Sequence, residues 1–315
     1  MKLKYIFGPV PSRRLGVSLG VDIIPFKACT LDCVYCQIGR TCNKTMNRDQ
    51  YVTPKEILYE LDYTLRQGQK IDYITLSGSG EPTLNFNIGE IIKAVKGITG
   101  IPVAVLTNGT LFYQEQVREA LYQADLVIPS LDAVSQDIFE RVNRPHSSLK
   151  ADRLIEGLIS FRSEFCGEIW LEIMFVKGFN DHLDEVIKIK NTVSKINPQK
   201  IQINTVVRPP AEDCAKELSS EDLQKIKVIL GEECSIIKEV HKKGRETSST
   251  DVKSAIVNLT RRRAVTLSDI LSLGIHRNEA IKCLRDLQKE KVIYKVVYDG
   301  HDYYRHMGRN QTGKV

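Results

Sequence analysis

Nowhere do the 315 residues contain a run approaching the roughly 20 consecutive apolar residues of a membrane span. The opening Met-Lys-Leu-Lys-Tyr-Ile-Phe-Gly-Pro also lacks the apolar core of a secretory signal, so the expectation is a cytoplasmic protein with no membrane partner. Eight cysteines are too few for a disulfide scaffold in a chain of this size, and clustered thiols in a reducing compartment read as metal ligands. Internal repeats are lacking, and so is any low-complexity tract before the last few residues, which excludes solenoid and linker-rich architectures. Excess charge is missing from the first 250 residues, where both signs balance. From residue 251 onward, 13 Lys and Arg face 7 Asp and Glu, so the whole net charge of +6 belongs to the C-terminal stretch. That asymmetry points to an acidic partner there, nucleic acid first, with a merely soluble surface as the alternative.

What is present is enough to build a large domain and a small one: the apolar content is 42% and the length exceeds one typical domain. The segment Phe7-Gly-Pro-Val-Pro-Ser-Arg-Arg-Leu-Gly16 reads as an ordered loop leading into a strand at 17–24. A helix at 54–67 starts from Thr53 as N-cap with Pro54 in its first turn. Strands at 73–77, 103–107, 126–131, 169–176 and 200–206 then alternate with helices at 88–96, 114–123, two short ones, and 183–195. Strands joined by helical crossovers pair in parallel with right-handed connections. Six such units fall short of a closed eightfold barrel and predict a partial (β/α)6 barrel, ended by a helix near 221–230.

Residues 238–250 read as a linker. After them come helices at 252–259, 267–273 and 276–289, then two strands, 292–298 and 302–305, around the tight-turn signal Asp299-Gly300. That order is the order of a winged helix-turn-helix. The predicted division is 1–237 for the barrel, 251–309 for the winged helix and 310–315 as a tail.

The richest chemistry lies in Cys29-Thr-Leu-Asp-Cys33-Val-Tyr-Cys36. Thiols this close serve one centre, holding either zinc, with Cys42 as a fourth ligand, or iron; a disulfide framework is the third reading. A [4Fe–4S] cubane takes four cysteines, so a trio leaves one iron open to a small chelating molecule. A second constellation, Ser77-Gly-Ser-Gly-Glu-Pro-Thr-Leu84, follows a strand, where glycines let the backbone approach a ligand and Ser and Glu offer acceptors to an ammonium group. Leu106-Thr-Asn-Gly-Thr110 and Ser130-Leu-Asp-Ala133 fall at the C-terminal strand ends, the rim that carries barrel sites, making Asn108, Ser130 and Asp132 candidate ligand contacts; Asn-Gly is also ordinary turn chemistry. Glu172 and Asn204 are polar residues in apolar strands. A carboxylate there needs company, so Glu172 either points into the lumen or pairs with an arginine such as Arg208. Cys42, Cys166, Cys214 and Cys234 are scattered and read as core or surface thiols.

The cysteine spacing, with an aromatic residue before the last thiol, resembles the radical S-adenosylmethionine (radical SAM) superfamily. The Ser77–Leu84 loop resembles that superfamily's Gly-Gly-Glu-Pro motif, with Ser79 where glycine commonly stands. The resemblance implies a [4Fe–4S] cluster on Cys29, Cys33 and Cys36, with SAM chelating the open iron. It also implies that Ser79, Gly80 and Glu81 grip the methionyl amino group, with Tyr35 a further cofactor contact, and that electrons come from a reduced flavodoxin or ferredoxin; Asn108, Ser130 and Asp132 stand on the rim as candidates for holding SAM or the substrate. The segments Gly8–Gly16, Cys36-Gln-Ile-Gly-Arg40, Asn143-Arg-Pro145 and Arg208-Pro-Pro-Ala211 are similar to a branch grouped broadly with the wyosine-base-forming tRNA enzymes. This resemblance covers about residues 5–235.

The predicted helix at 276–289 puts Ala280, Ile281, Leu284 and Leu287 on an apolar stripe, leaving Arg277, Lys282, Arg285 and Lys289 near the run Arg261-Arg-Arg263. These cations, together with the resemblance to the tRNA enzymes, make an RNA, most simply a tRNA base, the expected substrate. Two alternatives stay open. One is maturation of a protein or peptide with the winged helix as a docking module; the other is a DNA-binding iron–sulfur sensor.

Overall fold

The computed structural model describes residues 3–237 and 252–307. The expected linker at 238–250, the first residue of the expected winged-helix domain, its last two and the tail at 310–315 lie outside the described residues.

The chain opens with a strand where a loop was expected. β1 (Ile6–Ser12) runs antiparallel to β2 (Gly16–Val21). Pro9 and Pro11 fit because β1 is the edge of the sheet, and the register slips between Phe7 and Val10, where Gly8 and Pro9 are accommodated. The cysteine loop is bracketed by a two-residue parallel pair, β3 (Ala28–Cys29) and β4 (Asn43–Lys44). Helix α1 (Pro54–Leu65) begins with a full capping box between Thr53 and Glu56, worth on the order of 1 kcal/mol. The crossover pattern follows: β5 (Tyr73–Leu76), a 3₁₀ turn (Pro82–Leu84), α2 (Ile88–Ile98), β6 (Val103–Thr107), α3 (Glu115–Ala120), β7 (Leu126–Pro129), α4 (Gln136–Val142), α5 (Ala151–Glu164), β8 (Glu168–Phe175), α6 (Leu183–Ile196), β9 (Lys200–Thr205), α7 (Ser220–Leu230) and β10 (Cys234–Ile236).

These strands form one mixed sheet in the order β1-β2-β5-β6-β7-β8-β9-β10, parallel from β2 onward. The partial barrel is as expected, with one parallel strand beyond the six, because β10 has only three residues and carries no periodicity to read. Alternate residues divide the faces. Ile169, Leu171, Ile173 and Phe175 join the main core under the helices, while Trp170, Glu172 and Met174 turn to the lumen. The lower lumen is filled by Leu15, Ala104, Leu126, Ile128 and Trp170, so any ligand must sit in the upper, polar half.

The C-terminal unit comprises α8 (Val252–Thr260), α9 (Leu267–Leu271), α10 (Arg277–Lys289) and the hairpin β11 (Ile293–Tyr298) and β12 (His301–His306). It has its own core, around Ile256, Leu259, Ile270, Leu284 and Ile293. This unit spans from the β1 edge of the sheet to the segment that follows β9. On the β1–β2 side, Asn258 donates to the Leu3 carbonyl (3.3 Å) and Val10 packs on its core. On the β9 side, Tyr298 and Tyr303 donate to the Val206 and Val207 carbonyls (3.0 and 3.2 Å), and Arg208 pairs with Asp269 (3.2 Å).

Candidate active site

The loop after β2 carries the three thiols, and its shape comes from close backbone packing. Lys27, at φ 60°, donates its amide to Ser79 O (2.7 Å), and Glu81 returns its amide to Ala28 O (3.0 Å). Two glycines make this approach feasible. A Cβ on Gly80 would lie 2.0 Å from the Ala28 carbonyl oxygen. Gly78, at φ +151°, would place one 2.4 Å from the Asp22 carboxyl carbon. What the glycines of the Ser77–Leu84 loop admit is thus the chain's own cysteine loop and Asp22.

Each thiol has its own N–H donor, supplied by a different part of the fold. Asn108, just after β6, reaches Cys29 Sγ (3.5 Å). Asn143, capping α4, reaches Cys33 Sγ (3.4 Å), and Lys27 Nζ reaches Cys36 Sγ (3.2 Å). Burial pushes the Cys29 thiol up to about 12 and raises Cys33 well above the usual thiol range, so metal loading must displace protons. The buried Lys27 ammonium works against this at Cys29. Among the described residues no three His, Cys, Asp or Glu side chains are gathered around a single ion. A cubane does not ask for that, because each thiolate takes a different iron. Three separately braced sulfurs beside one buried cation fit an anionic iron–sulfur cluster. Cys42, which would complete a zinc knuckle, turns its thiol toward the Phe26 and Lys27 carbonyls (3.7 and 3.9 Å).

The polar rim expected from sequence gathers on the same side. Tyr35 donates its hydroxyl to Asp132, which also accepts from Asn143 Nδ2 (2.6 Å) and the Met174 amide (2.9 Å). Burial pushes the Asp132 carboxyl up to about 6, against the pull of these donors. Ser130 ends β7 by bridging to Glu172. Glu81 is 2% exposed, and its oxygens accept from Thr83 N (3.1 Å), Thr107 Oγ1 (2.5 Å) and Asn108 N (2.7 Å). It therefore braces the loop to the end of β6, which places Asn108. Ser79 spends its hydroxyl on Asp22 (2.6 Å).

Below the rim, Glu172 pairs with Arg14 (2.9 Å) and accepts from Asn204 (3.4 Å). Burial alone would raise the Glu172 carboxyl, but Arg14 and then Arg13 outweigh it and hold it below the usual range. Arg208, the partner weighed from sequence, goes to Asp269 instead. Arg13 Nη1 reaches Asn204 Oδ1 (3.5 Å), and the amide oxygen of buried Gln202 lacks a partner among the described residues. Sequence reasoning assigned no role to Arg13, Arg14, Lys27, Asp22, Gln202 or Asn143. Lys27 was discernible as a lone cation in the apolar approach to Cys29.

With this geometry in place, comparison with known proteins is informative. Residues 23–189 match the family model of the Radical SAM superfamily. A UPF0026 protein of Methanocaldococcus jannaschii is 36% identical over 304 residues, 95% of this chain and 94% of that protein. A Brachyspira hyodysenteriae protein named GTPase Obg is 38% identical over 304 residues, 95% of this chain and 45% of that protein, so the chain spans less than half of that relative. Among solved structures, Streptococcus suis SuiB bound to the precursor peptide SuiA shares the fold, with a TM-score of 0.55 and 15% identity over 85% of this chain and 64% of that one.

Proposed function

The chain belongs to the radical SAM superfamily and to the UPF0026 proteins, and from that premise we infer that Cys29, Cys33 and Cys36 hold its [4Fe–4S] cluster for chemistry on a protein or peptide. The cofactors of this enzyme class are that cluster and SAM, which together supply a 5′-deoxyadenosyl radical able to abstract hydrogen. The chain's own residues set the conditions. Lys27, Asn108 and Asn143 direct N–H groups at the sulfurs and favour the charged, reduced centre. The Ser79–Glu81 backbone, Asn108, Ser130 and the Tyr35–Asp132 pair are the residues that would hold SAM beside the cluster. The Arg13, Arg14, Glu172, Gln202 and Asn204 group lines the lumen beneath, where the reacting part of the substrate enters shielded from water.

The observation that carries the cofactor reading is the convergence of three different N–H donors on three different sulfurs. For the substrate, the support comes from the C-terminal unit. A winged helix that reads nucleic acid offers both a helix and its hairpin. Here the hairpin is engaged by the barrel: Tyr298, Tyr303 and Arg305 all donate to barrel carbonyls. The remaining α10 surface mixes Lys282, Arg285 and Lys289 with Glu279 and Asp286. This favours a docking module over a reader of bases. The likeness in fold to SuiB, seen with a precursor peptide, points the same way. An RNA substrate is the second reading, supported by the cations of α10.

The test is anaerobic reconstitution with dithionite and SAM, measuring iron per chain and 5′-deoxyadenosine beside a Cys29/Cys33/Cys36→Ala triple variant. About four irons per chain and cleavage abolished in the variant are expected. Zinc in place of iron would refute the cofactor reading. Cell-extract fractions that stimulate cleavage are then treated with protease or ribonuclease. Loss with protease alone supports a protein or peptide, and loss with ribonuclease alone supports RNA. A loaded cluster that binds DNA and leaves SAM intact would establish the sensor.

A further inference from the structure

The run Arg261-Arg-Arg263 reads from sequence as a phosphate-contacting patch, but the fold sends its three side chains in three directions. Arg261 lies at the surface with Nε 3.2 Å from His306 Nε2. Arg263 turns to Asp269 (3.2 Å). Arg262 goes inward and is 8% exposed. Its Nε lies 3.0 Å from Asp22 Oδ2, and its Nη1 and Nη2 donate to the Asn258 and Lys4 carbonyls (2.8 and 3.2 Å). The guanidinium carbon sits 4.4 Å from the centre of the Phe7 ring.

Asp22 lies immediately after β2 and anchors the Ser77–Leu84 loop. Its Oδ1 accepts the Ser79 amide (3.1 Å), its Oδ2 accepts the Ser79 hydroxyl (2.6 Å), and Gly78 lies flat against the carboxylate. A carboxylate this buried needs a compensating cation, and it comes from the C-terminal unit, 240 residues along the chain. We propose that Arg262 is a positioning residue for SAM: through Asp22 it fixes Ser79 and Gly80, so that the C-terminal unit completes the cofactor site of the barrel. This rests on the reading that the Ser79–Glu81 loop holds SAM. Arg262 touches neither SAM nor the thiols; its effect passes through Asp22.

The experiment compares reconstituted wild type with Arg262→Gln, Arg262→Lys and Arg262→Gln/Asp22→Asn. It measures iron content, thermal unfolding, SAM affinity by equilibrium dialysis, and the electron paramagnetic resonance spectrum of the reduced cluster with and without SAM. Arg262→Gln is expected to keep its iron and its SAM-free spectrum while SAM binding weakens on the order of 10- to 100-fold, the scale at which supporting residues act on ligand sites. Adding Asp22→Asn removes the stranded charge and is expected to recover part of that loss, which a general loss of stability would not allow. If Arg262→Gln does not fold, Arg262→Lys, which keeps the charge but not the fork, carries the test, with weakened SAM binding and faster exchange of the Ser79 amide expected. A folded, iron-loaded Arg262 variant that binds SAM within twofold of wild type overturns the proposal. Failure of the underlying reading looks different: an iron-loaded Ser79→Ala variant, which loses the hydroxyl contact to Asp22, would then bind SAM as wild type does.

Discussion

The Lys27 ammonium lies 3.2 Å from the Cys36 sulfur, and Lys27 is 4% exposed. A cation so placed faces all three sulfurs at once; burial disfavours its charge, but negative charge on the sulfurs, Cys36 first, outweighs that and raises the ammonium above its ordinary value. Lys27→Met keeps the apolar stem and removes the charge. The expected outcome is about 10-fold weaker iron retention and a reduction potential moved to more negative values, since nothing then offsets the electron added on reduction. Iron assay after gel filtration and a redox titration followed by paramagnetic resonance check both.

Gly80 and Gly97 make a matched pair. At Gly80 a methyl group would meet the Ala28 carbonyl oxygen at 2.0 Å, and a backbone cannot yield as a side chain does. Gly80→Ala is expected to cost at least about 1–3 kcal/mol and to displace the cysteine loop, visible as lost iron. Gly97 sits on the exposed face of α2 with nothing within 4 Å of its would-be Cβ. Gly97→Ala is expected to stabilise the chain by about 0.5–1 kcal/mol with iron content unchanged. Equal effects in chemical denaturation would contradict the packing argument.

How much of this was visible beforehand follows from what each feature depends on. The grouping of Cys29, Cys33 and Cys36 was legible because thiols separated by three and two residues must share one loop. The parallel strands were legible because crossover helices impose a repeating pattern. β1 was not, because Pro9 and Pro11 argue against a strand unless it is known to lie at an edge. Pairings of long range were also hidden. Glu172 announced its need for a cation, but the choice of Arg14 over Arg208 comes from the tertiary fold, as does the separation of Arg261, Arg262 and Arg263. The functional weight assigned to Glu81 rested on a motif, and only the structure shows both its oxygens engaged in bracing β6.

Acid is expected to loosen the seat of the C-terminal unit, through two groups. Burial and then Arg261 push the His306 imidazole down to about 4 from the ordinary 6.5. The unfolded chain therefore binds the extra proton between those values, and stability rises with pH from about 4 to 6.5. Asp269 acts lower. Burial alone would raise its carboxyl, but Arg263 and Arg208 outweigh it and hold it below 3.8, so its contribution is present above that value and fades as pH falls further. His306→Phe, packed near Phe26, is expected to flatten the upper part of the profile, and Asp269→Asn the lower. Asp269→Asn also leaves two arginines without their carboxylate and is expected to cost about 3 kcal/mol at neutral pH. Melting temperature against pH for the three proteins separates the two effects; parallel profiles would refute both.

The charged face of α10 offers the sharpest division between substrates. Lys282 and Arg285 line a shallow surface groove with Asn278, Ile281, Asp286 and Lys289. The helix packs on α8, α9 and β11, away from the cysteine loop. Reversing Lys282 and Arg285 to Glu should leave iron content and SAM cleavage without substrate at wild-type levels. If the substrate is an RNA held through its phosphates, the double reversal should weaken its binding steeply and lower the dependence on salt by about one unit per lost contact. If it is a protein or peptide, the salt dependence should change little, and any loss should vary from one protein substrate to another. Measuring stimulation of 5′-deoxyadenosine formation at several salt concentrations reads this directly. A salt slope that collapses in the double variant would move the substrate from peptide to RNA even though the hairpin remains docked on the barrel.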